Sequence, residues 1–414
     1  MSFIIAAPAS GSGKTTITLG LLRAISQTTP IRAAKSGPDY IDPRFHEAAC
    51  GQTCINLDAW AMTPDRIKSL AAGDTPLIIE GAMGLFDGAP PSGKGATSDL
   101  ARILNLPVVL VVDAGKMAGS IAPLVNGFTN HDPNVQVAGV ILNNVGSARH
   151  DAMLRQALPN TKIFGSVPRT TTLQTPSRHL GLVQAQERHD LESYLTTAAT
   201  LMQNNINITA LMALKGKTPN ALHKGMAPPA QRIAVAQDAA FAFSYPHMLR
   251  DWQAAGATIS TFSPLGNDPT PDADLIYLPG GYPELHAGKL ASNATFLNSL
   301  RQTKAQIYGE CGGYMTLGEV LTDADGTSHQ MAGLLPLHTS FASRKLHLGY
   351  RHLHATTGPF AGQWTGHEFH YATTTHVRGK PLFQAQDATG ADLGAMGLVY
   401  ENVSGSFAHI IDKA

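Results

Sequence analysis

The sequence predicts an α/β protein of two domains, and three observations carry that prediction. Up to about residue 170, apolar runs ending in small or acidic residues alternate with helical stretches: Phe3 to Ala7, Leu77 to Glu80, Val108 to Asp113 and Val137 to Asn143. That rhythm belongs to a parallel sheet covered by helices. A second alternation begins at Arg232, with strands expected at 232–238, 257–262, 275–278 and 306–308 and a helical stretch reaching Ala255. Between the two, after a helix expected from Arg188 to Gln203, Lys215 to Ala230 is rich in Gly, Pro and Lys and has little periodicity, as a linker does. Domains are therefore expected at residues 1–205 and 231–414, joined by 206–230.

Composition supports this division. The 414 residues suffice for two domains of ordinary size, and 43% apolar residues can build a core in each. Thirty basic and thirty acidic residues cancel, so nothing favours a nucleic-acid partner, and only local positive sites are expected to hold phosphates. Cys50, Cys54 and Cys311 show no disulfide spacing, which fits a reducing compartment. Cys50 and Cys54 are expected as packing residues, because no second Cys or His pair follows at zinc-site spacing. Phe3 to Ala7 is too short for a signal segment, and no apolar run reaches the ~18–20 residues of a membrane helix. A cytoplasmic protein without a membrane partner is expected.

Taken in chain order, the first strand runs into Ser10 to Thr16, a phosphate-binding loop. Gly11, Ser12 and Gly13 let backbone N–H groups turn onto phosphate oxygens; Lys14 adds a point charge, Thr15 a hydroxyl for magnesium, and Thr16 continues the nucleotide-binding run. The strict pattern would put Gly where Pro8 stands, so this is a variant loop. Lys35 to Pro43 also lacks core periodicity. Its carboxylates Asp39 and Asp42 flank Tyr40 on a loop stiffened by Pro38 and Pro43, which reads as a substrate and metal loop, with a plain solvated turn as the alternative. Two apolar strands end in carboxylates, Glu80 and Asp113. Glu80 is the better magnesium candidate, because it leads into Gly81 to Gly88, a segment able to bring Asp87 near a ligand.

In the second half, Gly309 to Gly313 places Cys311 on a glycine-flanked turn after an apolar strand, the arrangement that projects a nucleophile above a sheet. Gly281, at the end of a neighbouring strand, and Gly312 offer N–H groups for an oxyanion hole. A base is required. On spacing alone His409 is no better than His338, His347, His352 or His376. His367 to His370 starts like a zinc-protease motif, but its second His comes one residue early, so that reading fails. From Met331 onward, short apolar segments separated by Gly, Thr and His suggest hairpins and loops around a site. A thiol suited to cleaving an amide, on the same chain as a phosphate loop suited to activating an acid, implies ATP-driven amide synthesis with nitrogen taken from glutamine.

With these residues in view, the whole chain resembles the cobyrinic or hydrogenobyrinic acid a,c-diamide synthases. The resemblance rests on Ser10 to Thr16, Gly37 to Pro43, Glu80 to Gly88, Arg178 to Leu182, Leu278 to Glu284, Glu310 to Gly313, Leu348 to Arg351 and Gly366 to Tyr371. It implies an N-terminal P-loop parallel sheet with flanking helices, similar to dethiobiotin synthetase, and a C-terminal class I glutaminase-like α/β domain. By matching motif, Lys14 and Thr15 would bind ATP and Mg2+, with Glu80 and Asp39 at the metal. Asp39, Tyr40 and Asp87 would hold the substrate or intermediate, Cys311 would be the nucleophile and His409 its base. The tail departs from the family at Phe407 and Ile411, where a Tyr and a second His are usual, so the group orienting His409 is left unnamed.

The partners implied are ATP, glutamine and a corrinoid macrocycle, with a second copy of the chain as a candidate. Asp87 to Gly93 looks more like members that act on the metal-free ring. Two rivals stand beside this reading. A cobyric acid synthase would amidate other side chains of the ring, but its motifs differ from Gly37 to Tyr40. A nucleotide-driven switch with a decayed thiol domain would carry a lysine where this chain has Ala9.

Overall fold

Seven strands of the first half pair in parallel: β1 (Ser2–Ala6), β2 (Arg32–Ser36), β3 (Ile55–Leu57), β4 (Leu77–Glu80), β5 (Val108–Asp113), β6 (Val137–Val145) and β7 (Ile163–Pro168). This computed structural model describes residues 1–170, 172–173, 184–219, 221 and 223–414, so the Arg178 to Leu182 motif lies outside the described residues. The sheet order is β3-β2-β4-β1-β5-β6-β7. Strands β1 and β4 are buried along their whole length, as strands covered on both faces must be. Helix α1 (Lys14–Ser26) follows β1 and packs Ile17, Leu21 and Ile25 into the same core as Leu195, Ala198 and Met202 of the helix Leu191–Asn205.

That order sets the carboxyl ends of β1, β4 and β2 side by side, and the register makes Glu80 the partner of Ile5 on one side and Lys35 on the other. Ligands of such sheets bind at this edge. Strands β2, β3 and β7 are absent from the sequence-based expectation. The Arg-Ala-Ala-Lys-Ser run of β2 carries no β-branched residue, and β3 has only three residues, so neither has the apolar run by which the others are recognised.

The chain divides into two compact units, Met1–His223 and Lys224–Ala414. A short helix, Ile208–Met212, lies within the stretch expected as linker and buries Leu211 in the core of the first unit.

In the second unit, β8 (Arg232–Ala236), β9 (Thr258–Phe262), β10 (Leu275–Leu278) and β11 (Gln306–Glu310) are parallel in the order β11-β10-β8-β9. Val403–Ser406 extends the sheet in parallel beyond β11, and Leu398–Tyr400 closes that edge antiparallel. The region after Met331 is more regular than the expected hairpins and loops. His347–Ala355 and Gly362–His370 pair antiparallel over nine residues each, inside a five-stranded sheet. Gly and His fill eight of these eighteen positions, so strand propensity understates them, and pairing on both sides supplies what the side chains do not. The chain end, His409–Lys413, pairs with Gly362–His370 and sets His409 opposite His367. Among the described residues, no helix is long and apolar enough to cross a membrane.

Candidate active site

The phosphate loop is shaped by its glycines and clamped from the sheet. Gly13 caps α1 at φ 92, in the left-handed region, where a side chain is strained. Space forbids one as well: a Cβ there would lie 2.2 Å from Nδ2 of Asn143. That amide, at the end of β6, donates to the Ser12 carbonyl at 2.9 Å, and Ser12 Oγ donates to the Ala9 carbonyl at 2.9 Å. Lys14 Nζ donates to the Met83 carbonyl at 2.6 Å. Burial lowers the Lys14 pKa, while the carboxylates of Glu80, Asp42 and Asp87 pull it the other way. Asp87 is exposed on the following loop and accepts from the Gly84 N–H at 3.0 Å.

Glu80 is the centre of a buried charge cluster. Its carboxylate is 0% exposed, accepts from Thr15 Oγ1 at 2.6 Å, and lies 2.9 Å from Lys35 Nζ and 2.6 Å from His46 Nε2. Burial alone would raise its pKa, but Lys35 and His46 outweigh burial and hold it well below the usual carboxylate range. Lys35 Nζ is also 2.6 Å from Asp42 and 3.8 Å from Asp39. Burial opposes its charge, yet Glu80, Asp42 and Asp39 together raise its pKa. Cys54, expected only as a packing residue, lies with Sγ 3.5 Å from the other nitrogen of His46.

The structure thus brings Glu80 and Asp39, with Asp42, around one ammonium, and joins Thr15 to the same cluster through Glu80. Asp39 is turned partly inward on its own loop, with Oδ1 accepting from Ile41 N at 2.8 Å and Asp42 N at 3.1 Å. Asp42 is nearer the hydroxyl, 3.5 Å from Thr15 Oγ1. Asn56 donates to the carbonyls of Gly37 and Asp39 and fixes the loop, and Tyr40 is half-buried on it. Asp113 instead caps its strand, accepting from Gly115 N and Asn144 Nδ2. The hydroxyl and carboxylate oxygens of Thr15, Asp42 and Glu80 are hard donors of the kind magnesium takes. Sequence reasoning gave Lys35, His46 and Asn143 no role. Only Lys35 left a signal, as a charged residue inside an alanine-rich strand.

In the second unit, Cys311 sits at φ 45, ψ −102 between β11 and the turn of helix Gly312–Leu317. A non-glycine residue there is strained, and the strain projects its side chain. The thiol is 4% exposed, and burial followed by the Glu284 carboxylate pushes its pKa up, against the Gly312 N–H that favours the thiolate. Gly280 marks where the site closes. A Cβ on it would lie 2.2 Å from Cε1 and 3.1 Å from Nε2 of His409, and 3.3 Å from Cβ of Cys311. Of the histidines that spacing could not separate, His409 is the one this geometry sets beside the thiol. Gly281 N and Gly312 are also adjacent, since a Cβ on Gly312 would meet that nitrogen at 3.1 Å.

The His367 to His370 run borders the same site. Glu368 accepts from Arg351 Nε at 2.9 Å and Nη2 at 2.8 Å, and from His370 Nε2 at 2.8 Å. Burial raises its pKa, but His370 and Arg351 hold it down at about 2. His347, Glu368 and His370 bring donor atoms within 4.8 Å of one another; the guanidinium on the same carboxylate opposes a cation there. His370 is stacked on Phe407, which meets Tyr314 edge-on.

Residues 3–183 match the CobQ/CobB/MinD/ParA nucleotide binding domain, and residues 232–414 match the CobB/CobQ-like glutamine amidotransferase domain. Among curated proteins, the chain is 53% identical to the hydrogenobyrinate a,c-diamide synthase of Brucella anthropi, over 99% of this chain and 98% of that one. It is 49% identical to the enzyme of that name from Sinorhizobium sp over the same shares, and 48% identical to that of Rhodobacter capsulatus over 98% of each chain. A phosphate loop braced on a buried carboxylate, a thiol on a strained turn beside a histidine, and this end-to-end similarity place the chain in the hydrogenobyrinate a,c-diamide synthase family of glutamine-dependent amidating ligases.

Proposed function

We propose that this protein amidates the a and c acetate side chains of hydrogenobyrinic acid, or of its cobalt counterpart cobyrinic acid, using ATP and glutamine. The observation that supports this most directly is the full-length similarity to chains bearing that name, with both sites assembled in one polypeptide. A carboxylate resists nucleophiles. Its oxygen attacks the γ-phosphorus of ATP, ADP leaves, and the resulting acyl phosphate is opened by ammonia with release of phosphate and a proton. Gly11 to Thr16 hold the nucleotide, with Lys14 set against its phosphates. Thr15, Glu80 and the Asp39–Asp42 loop would hold Mg2+, which neutralises phosphate charge when bound. Lys35, now shared among three carboxylates, is placed to turn toward a transferred phosphoryl group. Tyr40 and Asp87 are assigned to the substrate.

Ammonia comes from glutamine. The Cys311 sulfur attacks the side-chain amide, its proton passes through His409 to the departing nitrogen, and water then cleaves the thioester to glutamate. Gly281 and Gly312 N–H groups are assigned to the oxyanion. Generating ammonia within the enzyme matters because free ammonia is protonated in water.

Purified protein incubated with ATP, magnesium, glutamine and each macrocycle is expected to give the diamide. Cys311→Ala is expected to lose glutamine-dependent synthesis and retain synthesis at high ammonium concentration. Amidation of neither ring by the unaltered protein, or glutamine use by the variant, would overturn the proposal.

A further inference from the structure

The tail of the chain supplies no acid where the histidine of a Cys-His pair is commonly braced: Ile411 stands two residues after His409, and its side chain is buried and apolar. The geometry points to Glu310, the residue immediately before the nucleophile, as the carboxylate that positions His409. Glu310 ends β11, is 1% exposed, and sets Oε2 3.6 Å from His409 Nδ1. The other ring nitrogen, Nε2, borders the Gly280 position that Cys311 borders too. Nδ1 of the imidazole therefore lies on the side of the carboxylate, and Nε2 on the side of the Gly280 position shared with Cys311, which is the division of labour a base needs.

Glu310 is itself held rigidly. Tyr277 Oη donates to Oε2 at 2.8 Å, Tyr308 Oη to Oε1 at 3.3 Å, and the Ile410 N–H to Oε1 at 3.0 Å. The last bond joins the carboxylate to the residue next to His409, so strand β11 and the chain end are tied at the point where the ring must be oriented. Held this way, the carboxylate keeps the proton of the neutral ring on Nδ1. Nε2 then takes the thiol proton, and Glu310 stabilises the imidazolium until that proton reaches the departing ammonia. Glu310 touches neither glutamine nor sulfur in this scheme; it is a positioning residue.

The charged and titratable groups facing the pair come from several elements. They are Glu284 on the turn Pro283–Leu285, His367 and Glu368 on the strand Gly362–His370, Arg351 on the strand paired with it, and Glu310 on β11. Direct repulsion of the thiolate by Glu310 is weaker than that by Glu284 or Glu368. Its action through His409 is therefore expected to dominate.

The inference rests on the proposed glutaminase role of Cys311 and His409, and two readouts separate the two ideas. Steady-state glutamine hydrolysis tests both; the rate of Cys311 alkylation by iodoacetamide against pH tests only the coupling of Glu310, His409 and the thiol. In Glu310→Gln, kcat for glutamine is expected to fall on the order of 10²- to 10⁴-fold, with KM changed less than about threefold. The alkylation inflection is expected to move up by about one pH unit or more, because a less stable imidazolium supports the thiolate less. Glu310→Asp, which keeps the charge on a shorter arm, is expected to recover part of both. If Glu310→Gln does not fold, Glu310→Asp carries the test, with an intermediate kcat. Hydrolysis within about threefold of the unaltered protein together with an unshifted inflection would overturn the proposal, as would a loss confined to KM. Absence of glutamine hydrolysis in the unaltered protein, with the inflection still shifted in Glu310→Gln, would sink the glutaminase reading and leave the positioning role standing.

Discussion

The phosphate-loop site and the thiol site are both built where parallel strands end, yet they are assembled from opposite materials. The first is dense in charge: one ammonium, Lys35, is shared among Asp39, Asp42 and Glu80, and a histidine closes on the same Glu80 carboxylate. Its turn uses glycine where φ is positive. The second puts Cys311 itself at positive φ and surrounds the thiol with carboxylates that oppose its ionisation. One site is set by paired charges and the other by backbone strain and exclusion of bulk. Charge pairs tolerate small shifts of backbone but not loss of a partner. A strained, packed turn behaves the other way round.

The sharpest way to break this comparison is to exchange the two kinds of damage. Lys35→Met takes the ammonium away from the fully buried Glu80 carboxylate, a change of the class that costs roughly 3–5 kcal/mol, and it is expected to lower amidation on the order of 10²-fold or more with glutamine and with ammonium alike. Gly280→Ala adds one methyl, but that methyl would lie 2.2 Å from His409 Cε1. It is expected to abolish glutamine-dependent synthesis and leave ammonium-dependent synthesis within about twofold. Rates with each nitrogen donor check both. Equal losses in Gly280→Ala would show that packing at the thiol site also governs the first unit, and the contrast would fail.

The same contrast explains what was legible in the sequence. Glycine-rich turns after apolar strands are readable because few residues tolerate their backbone, so Gly11 to Thr16 and Gly309 to Gly313 stand out. Thr15, Glu80 and Asp39 follow from hydroxyl and carboxylate chemistry near that loop. Lys35 and His46 do not, because their role comes from register: Lys35 lies beside Glu80 only once β2 and β4 are paired, and nothing local says which strands are neighbours. His409 is hidden for the same reason, since its place is fixed by pairing with the strand Gly362–His370. Glu310 is the plainest case: it lies within the quoted motif, and its contact with His409 is made across 99 positions of chain.

A second test addresses how charge is used inside the thiol-bearing unit. Glu368 is held at about 2, against an ordinary value of 4.5. A carboxylate depressed on folding contributes stability that is fully present above its ordinary pKa and is lost as pH falls toward its folded value. Lowering the pH from about 4.5 to 2 is therefore expected to cost about 3 kcal/mol from this group alone. Urea unfolding of the isolated Glu368→Gln protein, compared with the unaltered protein at several pH values in that window, is expected to show a correspondingly shallower decline. Parallel pH profiles for the two proteins would mean that the Arg351 and His370 contacts do not persist in solution.

The smallest effect is the most discriminating. Burial first, and the Glu284 carboxylate next, raise the Cys311 pKa. Removing that negative charge in Glu284→Gln should let the thiolate form at lower pH and raise alkylation by iodoacetamide a few-fold near pH 7.5, with the inflection moving down. Glu310→Gln removes a negative charge from the same surroundings, but its inflection is expected to move up, because its charge acts on the imidazole that supports the thiolate. Opposite signs from two carboxylates beside one sulfur cannot come from general repulsion, which would move both inflections down. They require that one acts on the thiol and the other on its base, so two shifts of the same sign would remove the distinction between the two residues.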